Sequence, residues 1–177
     1  ALDEVAKLIK PGITTKQIDD LCYEFINDND ACSAPLFYRG FPKSCCTSTN
    51  HTICHGIPGD KTLRDGDIVN VDVTTFKNGW HGDTSRMFYA GKVSIKAKKL
   101  IDVTYNSMMK AIKILNKEIT LGDIGSTIQT YVESEGFSVV RDFCGHGIGK
   151  VFHQEPNILH YGKKGTGPKL IPGMINI

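Results

Sequence analysis

The sequence predicts an α+β protein. Four stretches carry apolar residues at helical spacing, a long two-stranded hairpin is centred on Asn78-Gly79, and strands do not alternate with helices in the βαβ manner. Leu2, Val5, Ala6 and Ile9 mark the first helix, which Pro11-Gly12 ends. Thr14 with Gln17 three residues on is a capping box. It opens a second helix with Ile18, Leu21, Cys22 and Phe25 on its apolar face, ending near Asn27. Residues 28–43, with Pro35, Tyr38, Gly40, Phe41 and Pro42, read as an irregular loop, and residues 44–55 as one or two short strands. Residues 67–76 and 80–89 form the hairpin, because Asn and Gly both tolerate the positive φ that a two-residue turn needs. Ser94 caps a helix running to about Asn116, with Ala97, Leu100, Ile101, Thr104, Met108, Ala111 and Leu115 expected inward. A further helix runs from about Leu121 to Glu135, with Ile124, Ile128 and Val132 inward and Gly136 stopping it. Residues 138–177 read as strands and glycine-rich loops.

Composition narrows the function classes. The chain has 177 residues, 40% hydrophobic and 23% charged, which suits one compact domain, or a larger one cut short, and argues against a disordered tail. A net charge of +2 leaves no strong field to gather nucleic acid or an anionic membrane. The basic clusters Lys96-Ala97-Lys98-Lys99 and Lys163-Lys164 read as solvated surface. No apolar run approaches the roughly 18 residues of a membrane helix, and no signal peptide is visible. Six cysteines show neither C-x-x-C nor zinc-finger spacing, so reduced thiols in a cytoplasmic protein are expected.

The hairpin carries the first chemical signal. A two-residue turn pairs Lys77 with Trp80, Asp72 with Ser85 and Thr74 with Asp83. Side chains alternate, so Asp72, Thr74, Asp83 and Ser85 share one face, while Val69, Val71 and Val73 take the other, expected to be the core. The two carboxylates are diagonal neighbours, about 7–8 Å apart at the backbone and closer at their tips. They repel unless a cation lies between them, and two metal ions about 3.5–4 Å apart would fit. Solvent on an outer face satisfies the same residues. In this register His81 falls on their face and is a further possible ligand.

The histidines carry the second signal. His55 lies in Cys54-His55-Gly56-Ile57-Pro58, His146 in Gly145-His146-Gly147-Ile148-Gly149, and His153 follows Phe152. Flanking glycines let backbone or ligand approach closely. Each imidazole suits a metal, a proton transfer or a structural hydrogen bond. Spacing does not match a dinucleotide or phosphate loop, and no G-x-S-x-G elbow is present.

Taken together, these segments resemble the type I methionine aminopeptidases of the bacterial kind. Those that match, in the family's order, are Pro42-Lys43-Ser44, Cys54 to Pro58, Asp65 to Thr74, His81-Gly82-Asp83-Thr84-Ser85, Gly145 to Gly149 and Phe152-His153. The resemblance covers essentially the whole chain. It implies the pita-bread fold: two similar halves with a curved antiparallel sheet flanked by helices, incomplete at both ends, and residues 1–177 forming one catalytic domain. Asp72, Asp83 and His146 take three of the family's five metal-ligand positions. The two glutamates, one of them the usual base, would follow the Pro172-Gly173-Met174 motif, so little turnover is expected of residues 1–177 alone.

The resemblance gives His55 a place near the scissile amide and His153 one near the substrate carbonyl, both as catalytic and substrate-binding residues. Tyr38, Phe41, Cys46 and Phe152 match the pocket for the methionine side chain. It implies two divalent ions, drawn from Co, Mn, Fe, Zn or Ni, and a monovalent cation at the backbone of Asn70 and Val73. The implied activity is removal of the initiator methionine from nascent polypeptides when the second residue is small, by a cytoplasmic monomer working near the ribosome. Two other readings stay open: a pita-bread peptidase cleaving before proline, and a non-catalytic relative serving as a binding module. The Cys54-to-Pro58 and Pro42-Lys43-Ser44 segments favour the methionine enzyme. Keeping His55, Asp72, Asp83, His146 and His153 together argues against the binding module.

Overall fold

In the computed structural model, which describes residues 1–116 and 118–177, the chain divides into two compact units. The first comprises residues 1–97 and 150–152, the second residues 98–149 and 153–177.

Unit 1 begins with helices α1 (Leu2–Leu8) and α2 (Thr15–Asp28). A helix as short as α1 is not stable by itself; burial of Val5 and Leu2 holds it. The capping box of α2 forms as expected: Gln17 N donates to Thr14 Oγ1 at 3.2 Å, and Thr14 N donates to Gln17 Oε1 at 2.8 Å. Strands β1 (Cys32–Ser33), β2 (Cys46–Thr49), β3 (Asp67–Lys77) and β4 (Trp80–Ala90) make one antiparallel sheet. β4 runs along the whole of β3, while β2 and β1 share the opposite edge, with Cys46 opposite Asp72 and Ser33 opposite Thr75. The hairpin register is the expected one: Lys77 faces Trp80, Asp72 faces Ser85 and Thr74 faces Asp83.

Val69, Val71 and Val73 turn to the core and pack with Val5, Ile18, Cys22, Ile26, Cys45 and Leu63. Each such aliphatic side chain contributes about 1.5–3 kcal/mol on burial. One expectation changes here. The loop at 28–43 contains β1 and a 3-10 turn at Tyr38–Gly40, whereas segment 44–55 holds one strand, β2, within the one or two expected. A two-residue strand exists only through its pairing with β3, so no local pattern announces it.

The remaining elements are α3 (Ile95–Lys113), which belongs to unit 2 from Lys98 on, α4 (Leu121–Ser134), β5 (Gly145–Gly147) and β6 (Gln154–Ile158). Ser94 caps α3 through Ala97 N to its Oγ at 3.1 Å. The inward face of α3 differs from expectation. Val103, Ser107 and Ala111 are buried, whereas Leu100, Thr104, Met108 and Leu115 are exposed. Apolar residues surround most of this helix, so periodicity does not select the packed face. In α4 the expected Ile124 and Val132 are buried. Ala111, Leu121, Ile124 and Ile158 form the core of this unit, with Ile128 packed against them. Gly136 adopts φ +83°, the left-handed stop expected of it. Among the described residues no helix is long and apolar enough to cross a membrane. All six cysteines are free thiols.

Candidate functional site

The chemistry of unit 1 starts at the middle of β3. The hairpin register brings Asp72 and Asp83 onto one face, and their carboxyl groups are in hydrogen-bonding contact. Burial first, then the charge of Asp83, then that hydrogen bond push Asp72 up to about 7. Both residues are half-buried, so neither stands fully in solvent. The surroundings are thiol-rich. Burial, with Asp72 and Asp83 adding, pushes the Cys46 thiol up to about 12. Burial and then Asp72 also raise Cys54. Among the described residues no three His, Cys, Asp or Glu side chains converge as a preformed metal cluster. What unit 1 offers is a pair of oxygen-donor carboxyls whose mutual repulsion a dication would relieve. That donor chemistry fits a hard or borderline divalent metal.

Beside the acidic pair runs an aromatic row. Tyr38 and Phe152 lie 4.8 Å apart between ring centroids, His81 stacks on Phe152 at 5.3 Å with 15° between planes, and Phe76 follows at 4.8 Å from His81. His81 thus enters the site as an aromatic neighbour of Phe152. Phe41 closes the same turn as Tyr38: its N donates to Tyr38 O at 3.0 Å, and Phe37 N donates to its O at 2.8 Å. Phe37 and Arg39 have φ of +65° and +49°, strained for side chains of their size.

His55 sits in the same unit on the loop after β2, also at positive φ, +54°. The next residue ties that loop to the strand. Thr47 N donates to Gly56 O at 2.7 Å, and Gly56 N donates to Ser48 Oγ at 3.2 Å. A Cβ at Gly56 would overlap the carbonyl oxygen of Thr47, so only glycine lets the loop lie this close.

In unit 2, His146 lies in β5 opposite Asn157 of β6. On its other side residues 175–177 run alongside, with His146 N donating to Ile177 O at 3.1 Å and Ile177 N to His146 O at 3.0 Å. The glycines beside His146 make this possible. A Cβ at Gly145 would meet Ile177 O, and one at Gly147 would meet Glu155 O. The close approach that the glycine pattern predicts is therefore an approach of backbone. His146 Nδ1 is 3.0 Å from Gly147 O, and a carbonyl can only accept, so Nδ1 is the donor in this contact. The tautomer with its proton on Nδ1 is the one that offers the Nε2 lone pair to a metal. His153 lies beside it, 4.3 Å between ring centroids.

Sequence reasoning missed Asp19, Cys54 and Arg39. Asp19 is buried, and its Oδ1 accepts from Ser44 N at 2.8 Å, Ser44 Oγ at 2.6 Å and Cys45 N at 3.2 Å. Lys43 Nζ approaches its other oxygen at 3.6 Å. Asp19 thereby pins the segment that enters β2 at Cys46, the residue opposite Asp72. A carboxylate between Ile18 and Cys22 on the apolar face of α2 was the available signal.

The profile of Metallopeptidase family M24 matches residues 1–176. A methionine aminopeptidase of Rickettsia prowazekii is 57% identical over 173 residues, which are 98% of this chain and 67% of that protein. The Escherichia coli methionine aminopeptidase is 50% identical over 175 residues, 98% of this chain and 66% of its own length. The chain thus spans about two thirds of these curated relatives. The crystal structure of the Rickettsia prowazekii enzyme superposes with a TM-score of 0.97 at 56% identity, covering 99% of this chain and 71% of that one.

Proposed function

This chain belongs to Metallopeptidase family M24, and from that membership we propose that the whole protein is a divalent-metal-dependent methionine aminopeptidase, which removes the N-terminal methionine of new polypeptides when the second residue is small. The observation that carries the reading is the half-buried Asp72–Asp83 pair, two carboxyls in contact with Asp72 pushed up to about 7. Such a pair is costly without a cation and apt with one.

We assign Asp72, Asp83 and His146 as metal ligands for a site that takes two ions in the whole protein. The metal's contribution is Lewis acidity, polarising the scissile carbonyl and acidifying water. The remaining roles belong to side chains. Asp72 and Asp83 hold the positive charge that anchors the site. His146 keeps its proton on Nδ1, through Gly147 O, and presents Nε2. His55 moves a proton at the scissile amide, and His153 donates to the carbonyl oxygen as negative charge develops there. Tyr38, Phe41, Cys46 and Phe152 seat the methionine side chain. The raised Cys46 thiol stays neutral, so aromatic faces and a soft, uncharged sulfur meet a polarizable thioether. The two units act as one catalytic domain.

The test has two readouts. Calorimetric titration of residues 1–177 with Mn²⁺ is expected to show binding that Asp72→Asn and Asp83→Asn each abolish. In the whole protein, free Met is expected from Met-Ala-Ser with Mn²⁺ or Co²⁺, lost on adding EDTA and absent with Met-Leu-Ser. Mn²⁺ binding unchanged in both variants, or release indifferent to EDTA, overturns the reading.

A further inference from the structure

Three exposed cations of unit 1 rest on aromatic rings, and one of them, Arg86 over Phe88, is paired with Asp3. The Arg39 guanidinium lies 5.3 Å over the centroid of Tyr38, the ring tilted against Phe152, and Lys150 Nζ lies 5.4 Å over Trp80, the neighbour in sequence of His81. Among the described residues neither is in an ion pair, whereas six other cationic side chains are: Lys7, Lys16, Lys43, Arg86, Lys99 and Lys169. Arg39 is also held at φ +49°, between Tyr38 and Gly40 in a turn whose first residue, Phe37, has φ +65° and is 80% exposed. Strained backbone of this kind persists where the surroundings fix it, and it gathers at ligand-contacting loops. Positive charge without an ion-pair partner therefore sits on Tyr38 of the aromatic row and on Trp80 next in sequence to His81, while the negative charge of the unit's site is concentrated at Asp72 and Asp83.

A peptide that matches this polarity has a free amino terminus and acidic side chains further along. We propose that Arg39, with Lys150 in support, is a specificity-determining residue that favours polypeptides with Asp or Glu in the positions after the small second residue, and disfavours Lys or Arg there. The proposal rests on the aminopeptidase reading, because that reading places the amino terminus and the methionine side chain of the substrate. An aromatic ring under the guanidinium restrains it without neutralising it, so the full charge remains available to the substrate.

The experiment is calorimetric binding, with Mn²⁺ present and at low ionic strength, of three peptides based on Met-Ala-Glu-Ser, Met-Ala-Ser-Ser and Met-Ala-Lys-Ser. The first peptide bond is reduced to a methylene amine so that none is cleaved. One exposed charge pair is worth about 0.2–1 kcal/mol, so the Glu peptide is expected to bind about 1.4- to 5-fold more tightly than the Ser peptide and the Lys peptide correspondingly more weakly. Arg39→Gln is expected to bring the three affinities close together, Arg39→Lys to keep their order, and added salt to compress it. Equal affinities in the unsubstituted protein, or an order that survives Arg39→Gln, overturn the proposal. If the neutral peptide itself does not bind, the aminopeptidase reading fails and takes the proposal with it, a result distinct from binding without preference.

Discussion

Replacing Asp19 with alanine removes one oxygen that three donors share. Asp19 Oδ1 accepts from Ser44 N at 2.8 Å, Ser44 Oγ at 2.6 Å and Cys45 N at 3.2 Å, all in buried surroundings. The Ser44 hydroxyl has a second acceptor in the main-chain carbonyl of residue 19, at 3.1 Å, so it is not stranded. The two main-chain N–H groups lose this acceptor, and each unsatisfied buried donor costs about 1–3 kcal/mol. Part of that is returned because a buried charge also disappears, so Asp19→Ala is expected to destabilise unit 1 by about 3 kcal/mol. Asp19→Asn keeps a carbonyl oxygen in the same place and loses only the assistance of the charge. Charged partners make hydrogen bonds roughly twice as strong, so about 1–1.5 kcal/mol is expected.

Both substitutions can be followed by thermal unfolding read through Trp80, the one tryptophan of the sequence, which lies in unit 1. At about 2–4 °C per kcal/mol for a chain of this size, the midpoint should fall by roughly 6–12 °C for Asp19→Ala and roughly 2–6 °C for Asp19→Asn. A midpoint within 2 °C or so of the unsubstituted protein for Asp19→Ala, or equal losses for the two, would refute the assignment of that oxygen as the pin of this segment.

Three further outcomes are expected. In metal-free protein, the raised folded-state pKa of Asp72 contributes stability that is present below its usual value of 3.8 and is lost as pH rises through about 7. Denaturant titrations should therefore show stability declining over that window; Asp72→Asn should flatten the decline, and Mn²⁺ should counter it only in the unsubstituted protein. Gly56→Ala forces a Cβ onto the carbonyl of Thr47, and such overpacking costs about 1–3 kcal/mol, so a lower urea midpoint is expected, whereas an unchanged one would mean the His55 loop is not held against β2. Burial lowers the pKa of His160 below its ordinary 6.5, so the unfolded chain takes up the proton first. The contribution of this group is intact above pH 6.5 and lost on acidification below it; His160→Gln should reduce the loss of stability between about pH 7 and 5, and an identical pH profile would argue against a neutral buried imidazole.

Features that depend on neighbours in sequence were legible before any coordinates. A two-residue Asn78-Gly79 turn and the period of two along each strand place Asp72 and Asp83 on one face, and the structure keeps that register residue for residue. Thr14 with Gln17, Ser94 with Ala97, and Gly136 act locally through their own backbone and side-chain groups, so they could be read from spacing alone. The glycines around His146 likewise announced a close approach before its partner was known.

Other features are set by contacts between residues far apart in the chain. Whether Asp72 faces water or a desolvated site depends on β2, which arrives from residues 46–49 and sets Cys46 opposite it. Asp19 reaches Ser44 across 25 positions, β1 exists only through β3, and α3, apolar around most of its surface, buries Val103, Ser107 and Ala111 because packing selected that face. The proton on His146 Nδ1 is fixed by the orientation of a single carbonyl. The sequence by itself determined which side chains the hairpin presents together, since a turn and a pleat are short-range geometry. Only the tertiary structure decided how strongly those side chains are desolvated, and hence their charge and reactivity, because desolvation is a property of everything packed around a group.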